Sequence, residues 1–241
     1  TREDFKLDRM RKLMALLGDP QKSLSVIHVA GSKGKGSTSA MLASILQAAK
    51  FKTGLFTSPH LNRVEERIRI QGQDISSIQL DELLQRVRKA IGENPLQNIG
   101  FVPTFFEVAT AVAFLFFAQE QVDFAVLEVG LGGRLDSTNV CNPLVCLITS
   151  ISFDHEAQLG NTLAKIAFEK AGIIKPAVPV LTTVEHPEAL NVIRETAEKA
   201  GARLVCSPDQ ISWLYKPGKV NNGTLLPSKI KAFTHGHEWP E

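Results

Sequence analysis

An α/β fold of the P-loop type, a mostly parallel sheet flanked by helices, is what the sequence predicts. Short apolar runs alternate with longer stretches that carry apolar residues at three- and four-residue spacing, the sign of strands wrapped by helices. A glycine-rich turn joins the first run to the first such stretch. The strands fall at residues 25–30, 53–57, 124–129, 144–150, 178–182 and 203–206. Between them, helices are expected at 37–50, 78–91, 104–121, 162–171 and 187–199, several ending at Gly or near Pro. Thr104 followed by Glu107 is a capping-box pattern for the third helix. Residues 67–75 alternate with period two and read as a hairpin or edge strand that covers the site rather than builds the sheet. Beyond Cys206 the pattern weakens to short strands joined by turns at Lys216-Pro-Gly-Lys and Asn221-Asn-Gly, so residues 1–206 form the main domain and 207–241 a short strand and loop tail.

Composition narrows the partners. The chain has 241 residues with 44% hydrophobic and 22% charged, within the range of ordinary globular domains. A net charge of +2 is too small to predict nucleic-acid or acidic-membrane binding. Three cysteines, Cys141, Cys146 and Cys206, lack paired spacing and point to a reducing compartment, the cytosol. The most apolar stretch, 108–118, falls well short of the roughly 20 residues a membrane helix needs, and reads as a buried helix. The opening Thr1-Arg-Glu-Asp shows no signal peptide.

The segment Val26-Ile-His-Val-Ala-Gly-Ser-Lys-Gly-Lys-Gly-Ser-Thr runs from a buried strand through a glycine-rich turn into a helix. Gly31, Gly34 and Gly36 allow backbone N–H groups close to an anion, the helix start adds a positive dipole end, and Lys35 adds a full charge. Ser37 supplies a hydroxyl for Mg²⁺ or a phosphate oxygen. The spacing is one residue tighter before Gly-Lys than the general Walker A pattern. His28, inside the strand, reads as a core histidine.

Glu128 stands at the carboxyl end of a parallel strand, where open α/β sheets bind ligands. Burying it among Val and Leu is costly unless it is paired or metal-bound, so it is the best candidate for the carboxylate that holds Mg²⁺ against phosphates. Gly130, Gly132 and Gly133 then require a tight turn or a close approach, with Arg134 and Asp136 facing the same cleft. Asp154-His155 follows the next strand, and His155 reads either as a metal ligand through neutral imidazole or as a surface histidine. Lys170 and Lys175, near the end of a helix, read by default as solvated charge.

Together these segments resemble the folylpolyglutamate synthase and dihydrofolate synthase family, a branch of the Mur ligase superfamily. The matching stretches are Val29-Ala-Gly-Ser-Lys-Gly-Lys-Gly-Ser, Thr57-Ser-Pro-His-Leu, Glu66-Arg-Ile-Arg-Ile-Gln-Gly, Thr104-Phe-Phe-Glu, Glu128-Val-Gly-Leu-Gly-Gly-Arg-Leu-Asp-Ser-Thr-Asn, Asp154-His with Leu159-Gly, and Glu169-Lys-Ala-Gly-Ile-Ile-Lys-Pro. They cover residues 8 to 200 in order. Gly-Leu-Gly-Gly-Arg-Leu-Asp with Ser-Pro-His-Leu separates this branch from the cell-wall ligases.

The resemblance implies a Mur ligase central-domain fold and an ATP-dependent ligase in folate biosynthesis. In such an enzyme a carboxylate of dihydropteroate or a folylpolyglutamate takes the γ-phosphoryl group, and the amine of L-glutamate attacks the acyl phosphate. It further implies that Ser32, Lys33, Gly34, Lys35, Gly36 and Ser37 hold ATP, and that Ser58, Glu128, His155 and Lys170 ligate Mg²⁺, Lys170 as a CO₂-derived carbamate. Lys35, His155 and Lys170 are the catalytic residues, while Thr104, Phe105, Phe106, Glu107, Leu135, Asp136 and Ser137 line the pteroate or folate pocket. The implied protein is a monomer with small-molecule partners. The sequence departs from the family pattern at Lys33, where Asn is commoner, and at Glu156 and Gln158. The Rossmann-like glutamate-ligase domain that follows in family members is expected to be absent from a chain that stops at Glu241. The alternatives are an ATP-binding module without ligase activity and a Mur-type peptide ligase.

Overall fold

The computed structural model of the chain describes residues 7–207 and the strand segments 211–216, 220–221, 224–225, 229–234 and 237–238. The main strands are β1 (Val26–Ala30), β2 (Thr53–Phe56), β3 (Ile68–Ile70), β4 (Gln73–Asp74), β5 (Phe124–Glu128), β6 (Pro143–Ile148), β7 (Val180–Thr182) and β8 (Leu204–Cys206). They form one eight-stranded sheet in the order β4-β3-β2-β5-β1-β6-β7-β8. From β2 to β8 every pairing is parallel. The expected strands are all present within two residues of their predicted ends.

The hairpin expectation at 67–75 needs correction. β3 pairs antiparallel with β2 and β4 with β3, so this hairpin extends the sheet at its edge instead of covering the site. Ile68 is buried against the core, while the Arg69–Asp74 ion pair at 2.7 Å marks the outer strand as solvent-facing.

Helices cover the two faces unequally. One face carries α1 (Leu7–Leu16), α3 (Ser77–Ile91), α5 (Phe105–Gln119), α7 (Leu163–Ala171) and α8 (Pro187–Lys199). The opposite face is packed by α2 (Lys35–Ala48), whose Ala43 meets Ile27, Val29, Leu55 and Val126. Short α4 (Pro95–Ile99) and α6 (Glu156–Leu159) sit in connections. β1, with α2 on one side and the large cluster on the other, is buried along its whole length, which explains its unbroken apolar run. α5 is apolar all round because it is sunk in that cluster, with Phe114 and Phe117 fully buried. Its Thr104–Glu107 capping box is formed as expected. α1 was not expected, although Met10, Leu13, Met14 and Leu17 repeat at helical spacing and are buried.

β9 (Ile211–Lys216), β10 (Val220–Asn221), β11 (Thr224–Leu225), β12 (Lys229–Thr234) and β13 (His237–Glu238) pair only among themselves, as a three-stranded and a two-stranded sheet. The turns expected at Lys216-Pro-Gly-Lys and Asn221-Asn-Gly fall at residues 217–219 and 222–223, outside the described residues. All three cysteines are free thiols. Among the described residues no helix is long and apolar enough to cross a membrane.

The strand order places the site. From β1 the chain turns one way to β2, and from β6 it turns the other way to β7, so the crevice between the ends of β1 and β6 is a topological switch point, where open α/β sheets bind ligands. Packing of α5 against β2 leaves no slack. A Cβ on Gly54 in β2 would come within 2.8–3.0 Å of the buried Phe117 ring. Gly54→Ala is therefore expected to lower stability by about 1–3 kcal/mol, read as a reduced urea midpoint with an unchanged slope. An unaltered midpoint would show that Phe117 moves freely.

Candidate functional site

The loop after β1 is built by close approach to the loop after β6. Gly31 has φ +148°, and a Cβ there would lie 2.0 Å from Thr149 Oγ1, so only glycine fits. Ser32 N–H donates to Ser150 O at 2.7 Å. Its hydroxyl donates to Ser152 O and accepts from Ser152 N–H, both at 3.0 Å. Lys33 N–H and O are tied to the Ser150 and Thr149 hydroxyls at 3.0 and 2.7 Å. Gly34, at φ +81°, then turns the chain into α2, which begins at Lys35, two residues earlier than expected.

These bonds redistribute the expected roles. Ser32 is a clamp between two loops, its hydroxyl already spent. The exposed Lys33 reaches Asp154 at 3.5 Å, leaving Lys35, Gly36 and Ser37 as the first turn of α2, whose N–H groups lack intrahelical partners. Lys35 Nζ folds back onto Gly31 O at 3.0 Å. Lys170, from α7, donates to the same carbonyl at 2.8 Å. The default reading of Lys170 as solvated charge is thus overturned, since it is 2% exposed. Its hydrogen bond goes to the loop backbone rather than to Glu128 or His155. Burial, then the Lys35 charge, pushes its amine down to about 8. Lys175 is also no free surface charge, because it donates to Asn139 O at 3.0 Å.

Glu128 ends β5 beneath α2. Its Oε2 accepts from Ser58 N–H at 3.0 Å, and a Cβ on Gly36 would sit 3.4 Å from both carboxylate oxygens. Burial raises its pKa, against the lowering pull of the Ser58 N–H and Lys35. A desolvated carboxylate set against the first turn of α2, with the Ser37 and Ser58 hydroxyls from neighbouring elements, is a hard-oxygen donor set that fits Mg²⁺. Among the described residues no three His, Cys, Asp or Glu side chains converge on a metal position. His155, in the left-handed region at φ 50°, lies 3.7 Å from Asp154 and reaches the wall of the adjoining cavity.

That cavity, of about 480 Å³, is lined by Ser58, Thr104, Phe106, Glu107, Leu135, Asp136, Ser137 and His155 among others. Phe105 is the exception among the expected lining residues. Consecutive helical residues point about 100° apart, so Phe105 turns to a separate groove and stacks under Arg67 at 5.1 Å. Glu107 lines the wall, but its carboxylate is committed to Thr104 N–H at 2.7 Å and Arg9 at 3.1 Å. Gly130 makes room for Phe106, whose ring would lie 2.5 Å from a Cβ there. Arg134, expected in the cleft with Asp136, turns away to pair with Glu169 at 2.8 and 3.2 Å. Sequence reasoning missed Leu7, Met10, Pro59 and Arg67 in the wall. Arg67 stands in the quoted Glu66-Arg-Ile-Arg motif, which was the available signal. It is buried, and its Nε donates to His60 Nδ1 at 2.8 Å.

Asp136 accepts from Leu131 N–H at 2.9 Å on Oδ2 and from Thr138 N–H and hydroxyl at 2.9 and 2.5 Å on Oδ1, with the Gly130 backbone as a further, weaker influence. Burial raises its pKa while these hydrogen bonds lower it. Thr138 in turn meets His28, which is the core histidine expected. Burial, then the nearby Lys175, pushes the His28 pKa down to about 3 from 6.5. Between those values the unfolded chain binds a proton that the native protein does not, so stability is full above pH 6.5 and falls as pH drops toward about 3. His28→Gln is expected to flatten this acid loss, measured as urea midpoints between roughly pH 7 and pH 4; identical pH profiles would refute it.

The geometry agrees with comparisons to known proteins. Residues 29–210 match the Mur ligase middle domain family model. The dihydrofolate synthase/folylpolyglutamate synthase of Bacillus subtilis is 49% identical over 81% of this chain and 46% of its own length. A folylpolyglutamate synthase of Arabidopsis thaliana is 50% identical over 87% of this chain and 33% of its own. The chain thus spans less than half the length of these relatives. Among solved structures, folylpolyglutamate synthase from Thermotoga maritima superposes with TM-score 0.86 at 36% identity, covering 97% of this chain and 52% of that one. An FPGS–AMPPCP–folate complex superposes with TM-score 0.87 at 35% identity, covering 97% and 56%. The chain belongs to the Mur ligase middle domain family, in the branch of the folylpolyglutamate and dihydrofolate synthases.

Proposed function

We propose that this chain is the ATP-binding part of an ATP-dependent ligase that joins L-glutamate to dihydropteroate or to a folylpolyglutamate. One observation carries the reading: the Lys35 and Lys170 ammonium groups meet on the Gly31 carbonyl at the start of α2, close to the buried Glu128 carboxylate. The Lys35 charge and a helix N-terminus suit a polyphosphate, and the Glu128 carboxylate suits the cation that accompanies it. The relatives supply the acceptor class, since one similar structure is a complex with AMPPCP and folate.

In this reading residues 1–206 form the nucleotide unit, and Lys33 to Ser37 hold ATP with Lys35 as the charged contact. Glu128, Ser37, Ser58 and His155 are the ligands available to Mg²⁺, which supplies charge neutralisation on the phosphate oxygens when bound. The acceptor lies in the 480 Å³ cavity between Phe106 and Asp136, its carboxylate toward His155 and Ser58. That carboxylate attacks the γ-phosphorus, ADP leaves, and the glutamate amine then displaces phosphate from the acyl phosphate to form the amide. Most of this is positioning and charge stabilisation, for which Lys35 and Glu128 are placed. Lys170, held partly neutral by burial, is set up to add CO₂ as a carbamate, releasing a proton and turning a cation into an oxygen ligand. A cytosolic monomer with small-molecule partners completes the proposal.

Calorimetric titration with Mg-ATP and with pteroate tests it. Both are expected to bind, and Lys35→Ala should weaken Mg-ATP by about tenfold or more while sparing pteroate. With L-glutamate present, the mass of any glutamylated product from dihydropteroate or from tetrahydrofolate identifies the acceptor. Binding of Mg-ATP without either pteroate or folate would leave only a nucleotide-binding module. For Lys170, a carbamate ¹³C resonance is expected in ¹³C-bicarbonate and should vanish in Lys170→Met; its absence from the unaltered chain would refute the modification.

A further inference from the structure

Behind the cavity wall runs a line of buried polar groups that the proposed reaction does not use. His28, in the middle of β1, is 0% exposed. Its Nε2 lies 2.8 Å from Thr138 Oγ1, and that hydroxyl lies 2.5 Å from Asp136 Oδ1. At the far end Cys141 Sγ is 3.7 Å from His28 Nδ1. Cys141, His28 and Thr138 are each 2% exposed or less, so water does not substitute for any member.

Both ends of the line fix its direction. The Thr138 hydroxyl donates its one proton to Asp136 Oδ1, so toward His28 it can only accept, from Nε2–H. The Cys141 thiol, pushed up to about 12 by burial, keeps its proton and donates to Nδ1. A neutral imidazole protonated at Nε2 satisfies both neighbours. The line therefore runs Cys141 to His28 to Thr138 to Asp136, every donor facing an acceptor.

We propose that His28 is a positioning residue for the acceptor cavity, which acts through Thr138 to hold the Asp136 carboxylate with Oδ1 filled from within and Oδ2 left to receive an N–H donor of the substrate ring. Oδ1 already takes two donors from Thr138, whereas Oδ2 takes the Leu131 N–H. A carboxylate oxygen accepts about two hydrogen bonds, so the capacity left for a ligand is on Oδ2. The ligand chemistry this selects is a flat heterocycle with N–H donors. Remove the His28 donor and the Thr138 hydroxyl is free to turn away from Oδ1, which leaves that oxygen held by the Thr138 N–H alone and less firmly oriented. This inference rests on the folate reading for the occupant of the cavity.

Two measurements on the 241-residue chain test it. In protein labelled with ¹⁵N-histidine, the His28 ring, assigned by its loss in His28→Gln, is expected to carry its proton on Nε2; a proton on Nδ1 overturns the inference without any variant needing to fold. Pteroate affinity is then compared across the unaltered chain, His28→Leu, Asp136→Asn and the double variant. His28→Leu should weaken pteroate about tenfold while leaving Mg-ATP binding unchanged, and should have no further effect once Asp136 is Asn. His28→Gln, which keeps a side-chain N–H donor, should retain most of the affinity. Equal losses from His28→Leu in both Asp136 backgrounds would mark a general structural effect and overturn the proposal. Pteroate binding that Asp136→Asn weakens and His28→Leu does not would overturn it alone, and no pteroate binding by the unaltered chain would overturn the folate reading as well.

Discussion

The Gly31 carbonyl is the point on which the site depends. It receives ammonium donors from Lys35 of its own loop and from Lys170 of α7, and its residue is wedged against Thr149 at a distance only glycine tolerates. Three segments far apart in sequence are brought to one residue: the exit of β1, the exit of β6 and the end of α7. The two lysines repel, and burial penalises Lys170 further, so the arrangement is costly in the free protein. Such an unfavourable concentration of positive charge is what a polyanion relieves on binding, and the cost is accordingly a store of affinity.

The loop after β5 shows how one glycine-rich segment serves both halves of the site. Gly130 admits the Phe106 ring to the cavity, and Gly133 lies where a Cβ would come within 2.9 Å of the Glu169 and Lys170 carbonyls. Arg134 then locks onto Glu169 by two hydrogen bonds, and Asn139 donates to Arg134 O and Gly172 O, both at 3.0 Å. The segment Glu169-Lys-Ala-Gly is thereby fastened to the loop that forms the cavity wall, while its lysine supports the loop after β1. Neighbouring residues of one helix end serve different sites because they leave the helix in different directions.

Much of this was legible in the sequence. The strand order, the strand–turn–helix around Gly31 to Gly36, the placement of Glu128 and the buried state of His28 all follow from periodicity and from the cost of burying charge. What was not legible were the partners. Arg134 and Asp136 are two residues apart and were expected in one cleft, but the turn sends one to Glu169 and the other into the wall. Phe105 and Phe106 are adjacent and part company for the helical reason given above. Lys170 looked like a solvated charge because no local pattern announces a carbonyl 139 residues away in sequence. α1 was passed over although its spacing was readable, and Arg67 was quoted within a motif without being assigned a place.

The first helix has a consequence of its own. Leu7 and Met10 form part of the acceptor wall, and Arg9 pairs with Glu107 in the same wall, while the phosphate loop draws its bonds from residues 149–152 and 170. α1 thus contributes to the cavity wall and makes none of these bonds to the loop after β1. Local opening of α1 would therefore remove part of the cavity wall while the loop after β1 keeps its bonds. By linkage, protection of the α1 amide protons would report on occupation of the cavity.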